Sequence, residues 1–240
     1  MRLALSDTSY GLTRLWGAPG RPSVIGLENV PSGPAVYVGN HAGPDGPMAI
    51  LRALPVRLHP WAISDMVHHR TAPRYFYEDV GRPVWGLREP LGMVTCTLIG
   101  HLAVLFLKSL CVIPVRKEEG LFDPCFDASL ALLQQGRSVL IFPEDPAMAP
   151  DPISQVRLFR TGFAWLCARY VRECGGPLPV VPLMVHPPSN SVTVLPPIMV
   201  TRDNVNHGGT RRLCRKAQAA IHNAYCQRES LATPSLERAA

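Results

Sequence analysis

Short apolar runs bounded by Gly or Pro alternate along this 240-residue chain with stretches of helical periodicity, and that alternation restricts the fold more than any other feature. Residues 35–39, Ala35-Val36-Tyr37-Val38-Gly39, read as a buried strand, and 46–54 as a helix entered through the turn after Asp45. Residues 111–115, 138–142, 179–185 and 191–195 read as further strands. Another spans 56–64, where Pro60 argues against a central place in a sheet. Helical spacing covers 127–135, closed by Gly136, and 161–173, ended by Gly175-Gly176-Pro177. A last helix runs from the cap Thr210 to about Gln227. Strands alternating with helices predict an α/β fold: a mostly parallel or mixed central sheet flanked by helices, with functional residues at strand ends.

The same patterning sets the domain expectation. Residues 1–33 are turn-rich and form a lead-in segment. Residues 34–228 form a single α/β domain with an inserted apolar segment around 66–108, and 229–240 form a disordered tail. Within the insertion, 91–107 carry no Lys, Arg, Asp or Glu. As a helix this run is about 26 Å long, a little short of a bilayer core of roughly 30 Å. Two readings stand side by side: a buried helix, favoured by Gly92, Gly100 and His101, and a re-entrant or interfacial membrane helix.

Composition removes several function classes. At 47% hydrophobic the chain has material for one substantial core and none of the bias of a disordered or repeat protein. Asp7, Arg14 and several Gly and Pro residues interrupt the opening residues, so no secretory signal is expected there. Seven cysteines without a C-x-x-C pair predict reduced, mostly buried thiols in a cytoplasmic setting. The net charge of +6 suits anionic partners, with Arg211, Arg212, Arg215 and Lys216 clustered late in the chain. With only 7% aromatic residues and no recognition motif, nucleic acid is not expected as a partner. No metal-ligand grid, Walker motif, dinucleotide fingerprint or nucleophile elbow is present.

Chemistry concentrates at three strand ends. Asn40-His41-Ala42-Gly43-Pro44-Asp45 follows the first strand and places an imidazole near a carboxylate, a general base with its orienting partner. On local grounds alone His41 reads as a helix-capping residue and Asp45 as a turn residue. Arg116 closes 111–115, and Phe142-Pro143-Glu144-Asp145 follows 138–142.

This ordered set resembles the glycerolipid acyltransferase family, whose members move acyl groups from a thioester to lysophospholipid or glycerol-phosphate hydroxyls. His41 through Asp45 resembles the family's His-Asp block, with three intervening residues where the family has four. Val112-Ile113-Pro114-Val115-Arg116 resembles its apolar strand ending in Arg. Phe142-Pro143-Glu144 resembles the start of Phe-Pro-Glu-Gly-Thr-Arg, with Asp145-Pro146 in place of Gly-Thr. Phe159-Arg160-Thr161-Gly162 resembles the basic residue and Gly that open the next helix, and Val180-Val181-Pro182-Leu183 the final apolar block.

The resemblance implies an acyltransferase in which His41, assisted by Asp45, takes the proton from the acceptor hydroxyl. Arg116, Phe142, Pro143, Glu144 and Arg160 would hold the substrate. It implies no bound cofactor and no metal, acyl-CoA or acyl carrier protein as co-substrate, and a lipid acceptor. The expected location is the cytoplasmic face of a membrane, peripheral or monotopic, against an anionic surface. The departures in the motifs leave a second expectation, a non-catalytic lipid-binding member of the same fold, and a third, a hydrolase activating water with the same His-Asp pair.

Overall fold

The computed structural model describes residues 20–43, 46–116, 124–205 and 208–232. In chain order the elements are β1 (Ser23–Ile25), β2 (Val36–Gly39), α1 (Gly46–Ala53), β3 (Leu58–Ile63), α2 (Ser64–Val67), α3 (Ala72–Phe76), α4 (Leu91–Ser109), β4 (Ile113–Val115), α5 (Cys125–Gln134), β5 (Ser138–Ile141), α6 (Gly162–Cys174), β6 (Leu178–His186), β7 (Ser191–Val194), β8 (Ile198–Val200) and α7 (Gly209–Ala232). The fold is α/β, with a mixed sheet flanked by helices, as the alternation of runs predicts. Two compact units divide the described residues, one made of 20–58 and 130–232 and the other of 59–129.

The larger unit is built on a sheet ordered β1-β7-β6-β2-β5, with β8 also pairing β6. β2 lies parallel between β5 and β6, in register Val36–Val139 and Val36–Val180. β7 and β8 run antiparallel to β6, and β1 parallel to β7. All four residues of β2 and all four of β5 are buried. Successive side chains of a strand point to opposite faces, so both faces of the sheet's centre are covered, which is why these strands read as continuous apolar runs. α6 and α7 lean on each other and on β6, while α1 lies against β6 and β7. Phe163, Leu166, Leu183, Met184 and Ile221 are fully buried between sheet and helices.

Tyr37 is also fully buried, and its hydroxyl has no hydrogen-bond partner among the described residues. Burial pushes its pKa up to about 12, so the phenol stays neutral. An unsatisfied buried hydroxyl costs about 1–3 kcal/mol, whereas an apolar group of the same shape costs little. Tyr37→Phe is therefore expected to unfold at a higher urea concentration than the parent, by about 1 kcal/mol of stability.

Two strands, β1 and β8, lie where the sequence pattern suggests none; at three residues each they are too short for a period-2 signal. α7 continues to Ala232, past residue 229 where a tail is expected to begin. The reason is a tether: buried His186 donates from Nε2 to Glu229 Oε1 at 2.7 Å, with Nδ1 facing Ser189 Oγ at 2.7 Å. Residues 233–240 lie outside the described residues.

In the smaller unit β3 and β4 pair in parallel, Trp61 opposite Ile113. Residues 66–90, irregular by sequence, hold α3 and a π-helical turn at Tyr77–Gly81. The uncharged run forms α4, and only its small-residue stripe is buried: Gly92, Cys96, Gly100 and Val104. A Cβ on Gly100 would sit 2.8 Å from Pro73 N, so glycine there lets α3 approach α4 closely. The bulky residues Leu91, Val94, Leu98, Leu102 and Leu105 are between 55% and 72% exposed. Burial by protein thus accounts for the glycines of this run and leaves Leu91, Leu98, Leu102 and Leu105 exposed.

Candidate active site

The site begins with what anchors the end of β2. Asn40, the first residue beyond the strand, is buried, and its amide acts as one more peptide of the ladder: Nδ2 donates to Val185 O at 2.9 Å and Oδ1 accepts from Val185 N–H at 2.8 Å. An amide side chain is the group that offers one donor and one acceptor in the spacing of a peptide. The clamp ties β2 to β6 and carries the chain to His41, which is exposed.

After His41 the chain reverses through two left-handed residues, Ala42 at φ 45° and Gly43 at φ 75°. α1 then starts at Gly46, where a Cβ would meet the His41 carbonyl oxygen at 1.9 Å. Any larger residue would displace the backbone that carries the imidazole. Asp45, the expected orienting carboxylate, lies outside the described residues.

The loop after β5 completes the arrangement. Glu144 Oε2 accepts from the backbone N–H of His41 at 3.1 Å, and its Oε1 from the backbone N–H of Arg157 at 3.1 Å. Glu144 is thus a strut between two loops, and its backbone bridges Phe159. The Phe142 ring meets the His41 imidazole edge to face, centroids 5.2 Å apart at 66°. Pro143 is buried, and its carbonyl accepts from Arg160 N–H at 2.7 Å. Arg157 binds the carbonyls of Pro146 and Met148 through Nη1, closing the loop.

Arg160 is exposed and pairs through Nη2 with Asp145 Oδ1 at 2.7 Å. The Arg160 hydrogen bond, with the Ala147 backbone N–H behind it, holds the Asp145 carboxyl below its ordinary pKa. With the folded value below the unfolded one, this pairing favours the fold above the unfolded pKa and is lost as pH falls through the folded one. The carboxylate that replaces the resembled family's glycine is therefore paired with Arg160.

His41, Phe142, Pro143, Glu144 and Arg160 come together within the larger unit. Arg116 is exposed directly after β4, at the expected strand end, and belongs to the smaller unit. Sequence reading gave no role to Asn40 or Arg157. The signal for Asn40 was an amide ending an otherwise apolar run; Arg157 closes the loop with its guanidinium, but it meets Glu144 through its backbone N–H, which leaves no trace in residue type.

No protein-family model matches this chain, and no curated protein matches it in sequence. Among solved structures, the chain is similar to the crystal structure of the 1-acyl-sn-glycerophosphate (LPA) acyltransferase PlsC from Thermotoga maritima. The identity is 12%, the match covers 95% of this chain and 83% of that one, and the TM-score is 0.57. At this identity the likeness is one of fold: the α/β architecture described above is shared with that solved structure.

Proposed function

We propose that this protein is an O-acyltransferase that moves a fatty acyl group from an acyl thioester, acyl-CoA or acyl carrier protein, to a hydroxyl of a lysophospholipid or related lipid. The observation that carries the reading is His41: an exposed imidazole on a backbone fixed from both sides, by Asn40 on β6 and by Glu144 from the loop after β5. A general base needs this combination of access to substrate and a rigid mount. In the proposed reaction His41 removes the proton of the acceptor hydroxyl as its oxygen attacks the thioester carbonyl. The carbon–sulfur bond then breaks, and the departing thiolate takes the proton back from the imidazolium. Asp45 orients and stabilises the imidazolium, Phe142 packs against the ring, and Glu144 positions His41 through its backbone. Arg116 and Arg160 bind anionic parts of the substrates as guanidinium–phosphate contacts.

An anionic acceptor must compete with Asp145 for Arg160. Asp145→Asn is expected to lower the KM for a phosphate-bearing acceptor about two- to five-fold, leaving that for an uncharged acceptor unchanged in steady-state assays.

On this reading the protein meets its lipid at a membrane surface: in the smaller unit α4 offers exposed leucines, and in the larger unit, taken by itself, α7 offers the exposed Arg211, Arg212, Arg215 and Lys216. Each buried leucine is worth about 1.5–3 kcal/mol and each basic residue near anionic lipid about 1 kcal/mol. The double variant Leu98→Asp, Leu102→Asp should therefore bind anionic vesicles at least about ten-fold more weakly in co-sedimentation, with an unchanged thermal midpoint.

The function is tested by incubating the purified protein with mixed acyl thioesters and a cell lipid extract and identifying new lipids by mass spectrometry. Transfer predicts acylated products matched by free thiol. Free fatty acid without an acylated lipid would make the protein a hydrolase, and lipid binding without thioester consumption a non-catalytic lipid binder.

A further inference from the structure

All seven cysteines are free, and Cys96, Cys125, Cys167 and Cys214 are buried. Cys226, on α7, is partly exposed and has a distinct environment. Its Sγ lies 3.7 Å from His222 Nε2, one helical turn earlier. The other ring nitrogen, Nδ1, lies 2.9 Å from Ser154 Oγ and 3.8 Å from Asp151 Oδ1. Ser154 is fully buried, and its hydroxyl lies 3.0 Å from Asp151 Oδ1.

The acceptors in this chain of contacts order its protons from Asp151 outward. Asp151 Oδ1 accepts from the backbone N–H groups of Ser154 at 2.8 Å and Ile153 at 3.0 Å, which hold its carboxyl below the ordinary value and ionised. A carboxylate only accepts, so the single hydroxyl proton of Ser154 goes to Asp151. Ser154 Oγ is then left as an acceptor, from Val156 N–H at 3.4 Å and from His222. His222 must carry its proton on Nδ1. In the neutral ring Nε2 is then the proton acceptor, and it faces the Cys226 thiol.

We infer that Cys226 is a nucleophilic thiol with His222 as its base, and that it accepts an acyl group from an acyl thioester. The base–nucleophile geometry is that of an activated cysteine, with Ser154 and Asp151 as positioning residues that set the histidine tautomer. His222 Nε2 takes the S–H proton, and the sulfur attacks the thioester carbonyl. The donor's carbon–sulfur bond breaks and its thiolate leaves with the proton from His222. One thioester replaces another, with no change of oxidation state. The inference shares with the proposed function only the class of donor, and uses none of its residues.

Cys174 provides an internal control, since it is exposed and its sulfur faces the Gln134 amide rather than an imidazole. The full-length protein is incubated with an alkyne-tailed acyl-CoA in the absence of lipid acceptor, and hydroxylamine-labile label is mapped by peptide mass spectrometry. The expected result is at least about ten-fold more acyl label on Cys226 than on Cys174. His222→Gln and Ser154→Ala should bring the ratio towards one without changing the label on Cys174. Equal labelling of the two cysteines, or a Cys226 excess that survives His222→Gln, would overturn the inference. Lipid transfer by His41 is read separately: Cys226 label that persists in His41→Ala supports the thiol site even where transfer to lipid fails, and its loss in that variant counts against an independent site.

Discussion

His41→Ala is expected to reduce acyl transfer about 1,000-fold while leaving the fold intact. General-base catalysis contributes about 10²–10⁴ in rate, and among the described residues no other imidazole follows β2 to substitute for it. Stability should change by no more than about 1 kcal/mol, because the side chain is exposed and its packing is limited to the edge of Phe142. The hydrogen bond that ties this position to Glu144 comes from the backbone N–H, which alanine retains. Loss of transfer with an unchanged thermal midpoint and unchanged vesicle binding is the pattern expected of a catalytic group; a matching loss of stability would make His41 a structural residue.

Asn40→Ala is expected to act one step earlier, on the platform itself. The side chain satisfies both the N–H and the carbonyl of buried Val185. An unsatisfied buried group costs about 1–3 kcal/mol, so truncation should cost about 3 kcal/mol in all. For a chain of this size that corresponds to a fall in thermal midpoint of roughly 6–12 °C, readable by calorimetry. Because His41 is the next residue, transfer should fall as well, by about 10²-fold if the imidazole moves by an ångström. Parent-like stability in Asn40→Ala would show that β2 and β6 hold the strand end without the clamp.

The two variants separate what a sequence reveals from what it conceals. The strands around β2 were legible because a sheet covered on both faces requires continuous apolar runs, and Val36 to Val38, Val139 to Ile141 and Val180 to Leu183 are such runs. The helices α5, α6 and α7 were legible from their period and from Gly136 and Gly175, both left-handed glycines at or just beyond a helix end. His41, Phe142, Glu144 and Arg160 were legible as a set because each stands at a strand end or helix start, and the fold brings these ends together. The partners were not. Nothing in the identity of Glu144 says that both its oxygens meet backbone amides, and nothing in Asp145 says that Arg160 pairs with it. Such pairings join residues 15 to 145 positions apart, or use backbone donors that every residue but proline has. The uncharged run of α4 was legible as a helix, but its division into a buried glycine stripe and an exposed leucine stripe needed the neighbour α3.

The central claim is that the hydroxyl to be acylated sits against the imidazole of His41. The most direct measurement is a crystal structure of the protein with a lysophospholipid acceptor and a non-hydrolysable acyl thioester analogue. The account predicts the acceptor oxygen within about 2.6–3.2 Å of a His41 ring nitrogen and its anionic group on an arginine. An acceptor bound with its hydroxyl out of reach of His41, even through one water, would contradict it.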